Sequence, residues 1–292
     1  MDDPISSFDS IYKNKISYAI VKFLSNKKQI ILTHSLDLIR LLEHQQPKSY
    51  KLYLMNNTPG EVNGFIGLSA DEHGLLLYLN RVLDLFRNDI KNSIKDERKY
   101  LISIIPFLRG YAQLINNTYC RDKLTKLMHG YMEEEIDVAE IYKDLLGERV
   151  FSHSIVFSAK TIIKETIDEI ENHQILDSSV LPLLNKTLVH TFTYLQLRLM
   201  VEKTLVDLKA INTKKFDMLS QIIRKAYPDD GSQENVEKRI FLLSRKSLLN
   251  EFNHFEIDMN IFQPAIDITN ATLKKERADL LSFLKKEMEG AV

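Results

Sequence analysis

Two adjacent carboxylates open the chain, in the stretch Asp2-Asp3-Pro4-Ile5-Ser6-Ser7-Phe8-Asp9. Paired acids at the end of a strand suit hydrolysis of a magnesium-bound nucleotide. The first holds the metal through water, and the second orients or deprotonates the attacking water. Further on, His34 closes the apolar run Gln29-Ile30-Ile31-Leu32-Thr33. The second half of the chain offers a different chemistry. Arg198 and Glu202 lie four residues apart in YLQLRLMVEKTLVDL, and Asn250 and His254 lie four apart in LLNEFNHFE. Four residues is one helical turn, so each pair shares a helix face. The first pair is either an ordinary i,i+4 ion pair worth a few tenths of a kcal/mol or a cation and carboxylate held for catalysis. His254 is likewise either a packing or capping histidine or a proton carrier.

Other candidates carry less. His129, His153, His173 and His190 show no metal-ligand spacing such as H-E-x-x-H and are expected to be structural. Glu133-Glu134-Glu135 reads as a solvated acidic face, and Phe86, Tyr100, Phe107, Tyr111, Phe192 and Tyr194 as core. No G-x-x-x-x-G-K-[ST] occurs, so the chain has no lysine or amide nest for the β- and γ-phosphates of its own. Gly67-Leu68-Ser69-Ala70-Asp71-Glu72 lacks the glycines that a phosphate-cradling signature needs.

The elements that would position these residues fall into two parts. In the first, apolar periodicity predicts a helix over 11–24 and a shorter one over 35–43. Apolar β-branched runs predict strands over 28–33 and 49–55. The order helix, strand, helix, strand is that of the edge of a parallel α/β layer. Asn56-Asn57-Thr58-Pro59-Gly60 then makes a turn cluster. From about residue 69 the pattern is almost wholly helical. Candidate helices cover 75–94, 100–115, 138–146, 155–170, 180–208, 216–227, 235–249 and 271–288, with Pro106, Gly110, Gly130, Gly147 and Pro182 among the breakers. The expected fold is a small α/β part over 1–68 and a helical bundle over 69–292, helix-dominated overall.

Composition agrees. The 44% hydrophobic content supports a real core, and 9 glycines and 7 prolines in 292 residues favour long helices. A net charge of −1 gives no global basic field for nucleic acid, although a local basic cleft is compatible with it. The single Cys120 excludes an internal disulfide framework, which fits a reducing, cytoplasmic setting. No apolar run approaches the ~20 residues needed to span a bilayer, so no membrane partner is expected.

DDPISSFD followed by QIILTHS resembles the Walker B, D-loop and H-loop of RecF/SMC-like ABC ATPases, in particular bacterial anticodon-nuclease ATPases of the PrrC/RloC type. The resemblance makes Asp2 the magnesium-coordinating carboxylate and places Asp3 where many relatives have a catalytic glutamate. Ser7 and Asp9 become D-loop residues, and His34 the switch histidine. It implies that ATP and magnesium are bound only with a partner supplying the Walker A loop, and that the partner is a complete ATPase or a second copy meeting it through the D-loop. A C-terminal fragment, a split subunit and a degenerate relative are all compatible with the missing loop. The start at Met1-Asp2 favours truncation.

The R-x-x-x-E pair followed by N-x-x-x-H is similar to the nuclease part of that family, a HEPN-like helical domain expected over 180–292. Its implied chemistry is metal-independent cleavage of tRNA. Such cleavage needs a base for the 2′-OH proton and a cation for the developing phosphorane charge. His254 would move the proton, Arg198 would stabilise the phosphate, and Glu202 would orient one of them. Arg245 lies nine residues before His254, outside the R-x4–6-H spacing usual in HEPN ribonucleases. The expectation from another class is a non-catalytic helical interaction protein that docks on a complete ATPase.

Overall fold

The computed structural model describes residues 10–23, 25–47, 50–56, 63–167, 169–250 and 259–290. Two compact units divide the chain, residues 1–82 and 83–292. The sequence pattern placed a boundary after residue 68. The first unit runs past it because helix α3 (Ala70–Leu77) packs on α2 (Leu36–Gln45).

In the first unit α1 (Ser10–Phe23) also lies against α2, whose Leu36, Leu38 and Ile39 are buried. The Ser69 hydroxyl accepts the Glu72 N–H and caps α3, satisfying a donor that the first helical turn leaves unpaired. Both helices expected over 11–24 and 35–43 form. The expected parallel layer does not form among the described residues. Residues 28–33 carry only an isolated bridge at Leu32, and Ile30 stays 72% exposed. The second run does form a strand, β1 (Tyr53–Asn56), which pairs antiparallel with β2 (Gly64–Gly67) in the register Tyr53↔Gly67 to Asn56↔Gly64. A partner close in sequence closes a short loop, whereas a parallel partner needs a long crossover.

The second unit is helical, with the end of α4 (Leu79–Asp84) leading into it. A π-turn over Leu85–Asp89 and a 3₁₀ turn over Ile90–Ser93 follow, so the periodicity of 75–94 is realised in short pieces. Helix α5 (Glu97–Leu114) is capped by the Asp96 carboxylate, which accepts the Lys99 N–H at 3.0 Å. Pro106 and Gly110 lie inside it and are buried, so neither breaks it. Helix α6 (Thr118–Leu127) starts at the Asn117 cap. Asp137 then organises the next turn. Its Oδ1 accepts the N–H groups of Ala139, Glu140 and Ile155, starting α7 (Val138–Leu146) and drawing strand β3 (Ile136–Asp137) onto β4 (Val156–Phe157). The helix expected over 155–170 shrinks accordingly to α8 (Ala159–Lys164).

Six of the described helices of this unit gather on α9 (Pro182–Lys209). Proline in the first turn suits the missing N–H there, and apolar residues on all sides mark a central helix. Around it stand α5, α8, α10 (Leu219–Ala226), α12 (Lys246–Leu249), α13 (Gln263–Asp267) and α14 (Asn270–Glu289); α11 (Gln233–Ser244) packs on α10. Leu197, Val201 and Leu205, one turn apart, bury against Ile222, Ile223, Leu242, Leu280 and Leu284. Helix-dominated architecture with two small antiparallel sheets is therefore the fold among the described residues. None of the described helices is long and apolar enough to cross a membrane.

Candidate functional site

Helix α9 carries Arg198 and Glu202 one turn apart, with Glu202 fully buried and Arg198 only 9% exposed. A buried carboxylate is tolerated only when paired and hydrogen-bonded. Arg198 Nε donates to Glu202 Oε1 at 3.1 Å, and Arg198 Nη1 donates to Asn250 Oδ1. Asn250 follows α12, which is anchored on α9 through buried Leu249. Two segments 52 residues apart are thus tied by one guanidinium.

The other carboxylate oxygen reaches a third segment. The Gly130 N–H donates to Glu202 Oε2 at 3.0 Å across 72 residues. Glycine is required there: a Cβ would stand 2.0 Å from the Leu199 carbonyl oxygen, in the backbone of α9 itself. His129, the preceding residue, places Nδ1 3.3 Å from the same Oε2, within ion-pair distance but not aligned as a hydrogen bond. Its ring packs on Tyr131 with centroids 5.2 Å apart. The Tyr131 hydroxyl donates to the Asp217 carbonyl at 3.3 Å. Burial first, and then the Glu202 charge, push this phenol up to about 12. Beside these rings lies a concavity of about 320 Å³, lined by Lys126, His129, Tyr131, Thr213, Lys214 and Asp217.

Of the residues singled out in the sequence, Arg198, Glu202 and Asn250 come together. Asp2, Asp3, Ser7, Asp9 and His254 lie outside the described residues. His34 is exposed on the segment before α2 in the first unit, where Thr33 Oγ1 accepts the Ser35 N–H. Arg245 is engaged elsewhere, on Glu276 at 2.7 Å and Asp279 at 3.5 Å, with its guanidinium 3.8 Å from the Phe241 ring centre. His190 is buried and bonds Asn270 Oδ1 through Nε2 at 2.7 Å. His129, one of the histidines set aside, lies beside the cluster, next to Glu202 Oε2. Nothing local marks it; its partner is 72 positions beyond its neighbour. Gly130 was read only as a helix breaker.

Among the described residues no group of histidine, cysteine and carboxylate could hold a metal ion. No protein-family model matches the chain, and no curated protein or solved structure is detectably similar to it.

Proposed function

We propose that the chain is an effector of the anticodon-nuclease type, whose helical unit cleaves RNA without a metal ion. The observation that carries this reading is the joining of Arg198, Glu202 and Asn250, three members of the R-x-x-x-E and N-x-x-x-H pairs, in one hydrogen-bonded cluster. A cation fixed by a buried carboxylate is pre-organised for a developing phosphorane charge and needs no reorganisation as the charge appears. In this reading His254 moves the proton, and Asn250 ties its segment to α9.

The DDP and THS stretches are the trace of an ABC-type ATPase that regulates the nuclease. ATP and magnesium would then be held only with a partner supplying the phosphate loop, either a complete ATPase or a split subunit. A second reading is favoured by the β1–β2 hairpin. Its Tyr53, Met55 and Phe65 side chains are exposed, Phe65 by 63%, as suits a non-catalytic protein docking on a complete ATPase.

Cleavage of a mixed tRNA pool in EDTA, beside His254→Ala, separates them. Metal-free cleavage lost in the variant supports the nuclease. A wild-type protein that leaves the pool intact overturns it in favour of the docking reading.

A further inference from the structure

Resting on the ribonuclease reading, we propose that His129 is a catalytic base for that reaction, oriented by Glu202 and facing a phosphodiester-binding cleft. Three observations meet at this ring. Its Nδ1 is buried, has no hydrogen bond, and lies 3.3 Å from Glu202 Oε2. His129 lines the concavity of about 320 Å³ with Lys126, Lys214, Tyr131 and Thr213. The turn that carries it is fixed, with His129 N–H on the Lys126 carbonyl, Met132 N–H on the His129 carbonyl, and Gly130 lodged against the backbone of α9.

A carboxylate behind Nδ1 selects the tautomer with hydrogen on Nδ1, which leaves Nε2 as the proton acceptor. The separation is slightly long and poorly aligned, as such bonds often are before a substrate tightens them. Glu202 is well suited to this role. Its Oε1 is neutralised by Arg198, and Oε2 is steadied by the Gly130 amide, so the carboxylate cannot swing away from the ring.

The cleft also has the chemistry of its substrate. Its volume is at the small end of ligand pockets, ~300–1,000 Å³, and fits one nucleotide of a single strand rather than a duplex. Lys126 and the exposed Lys214 supply ammonium groups for phosphate oxygens, although Lys126 shares its charge with Glu134 at 2.5 Å and Asp217 adds a carboxylate at the rim. Tyr131 offers a ring face against which a base can stack.

The step balances without a metal or redox partner. His129 Nε2 takes the 2′-OH proton, and the 2′-oxygen forms a bond to phosphorus. The bond from phosphorus to the 5′-oxygen breaks, and that oxygen takes a proton from the general acid of the reading above. The imidazolium then returns its proton through water to that acid. The products are a 2′,3′-cyclic phosphate and a 5′-hydroxyl.

The test uses the full chain, a tRNA pool and EDTA, with His129→Gln, His129→Gly, Lys214→Glu and His254→Ala compared by thermal midpoint before assay. The expected result is cyclic-phosphate ends from the wild type and a loss of kcat of about 100-fold or more in His129→Gln. Added imidazole should restore His129→Gly, and Lys214→Glu should raise KM several-fold with kcat kept. Imidazole rescue reads the proton-transfer role even if His129→Gln folds poorly. Wild-type cleavage that His129→Gln retains within about threefold, while His254→Ala abolishes it, overturns the role of His129 and leaves the nuclease intact. No wild-type cleavage overturns the nuclease reading, and the inference with it.

Discussion

Helix α9 holds two acid–base pairs with the same spacing, offset by five residues, in opposite surroundings. Arg198–Glu202 spans 3.1 Å with the carboxylate fully buried. Lys203–Asp207 spans 2.9 Å with side chains 36% and 57% exposed. Spacing and distance are nearly identical, so neither decides what a pair is worth. Solvent does. At the exposed end water screens the attraction and the pair can part at little cost. In the buried stretch of the helix the carboxylate has no water to return to, and the pair recruits Asn250 through Arg198, and Gly130 and His129 through Glu202.

The sharpest way to break this contrast is Arg198→Ala, which leaves a buried carboxylate without its cation. It should cost about 3–5 kcal/mol by chemical denaturation, against a small change if the two pairs were equivalent. Pairing Arg198→Met with Glu202→Leu should recover most of that loss, because apolar replacement removes both desolvation penalties together. Gly130→Ala comes next, at about 1–3 kcal/mol or more, since the α9 backbone must move to admit the methyl group.

A smaller effect concerns alkaline pH. The folded Tyr131 phenol, pushed up to about 12 by burial and then by Glu202, holds its proton more tightly than the unfolded value of about 10. Its contribution is therefore complete below about pH 10 and is lost as pH rises through about 12. Tyr131→Phe should lose less stability than wild type over that window; equal losses would place the phenol in water. Smallest of all is Asp207→Ala, expected within about 0.5 kcal/mol and shrinking further in salt. A cost comparable to that of Arg198→Ala would erase the distinction between the two ends of the helix.

How much of this was legible in the sequence varies by residue. Helix α9 was readable nearly to its ends, because Pro182 opens it and apolar residues continue on every side. The Arg198–Glu202 pair was visible from its spacing, but its burial was not, since the same spacing is found in Lys203–Asp207. His129 and Gly130 had no local signal at all: they matter through a contact with Glu202 that only the folded chain creates. In the first unit, the run over 28–33 had strand composition but carries only a bridge at Leu32, whereas the segment at Tyr53 pairs with one close by in sequence. Pro106 misled in the other direction, because tertiary packing of α5 outweighs the hydrogen bond that a proline removes.

The position of α9 late in the second unit has a consequence for synthesis. Helix α5 buries most of its side chains, and α9 is among the helices it packs on, yet roughly a hundred residues must be added between the end of α5 and the end of α9. At ~5–20 residues per second, the nascent chain spends on the order of 5–20 s with the α9-facing side of α5 uncovered. Ribosome-bound chains stalled before Pro182 should accordingly be bound by chaperones, and chains stalled well beyond Lys209 should be released from them.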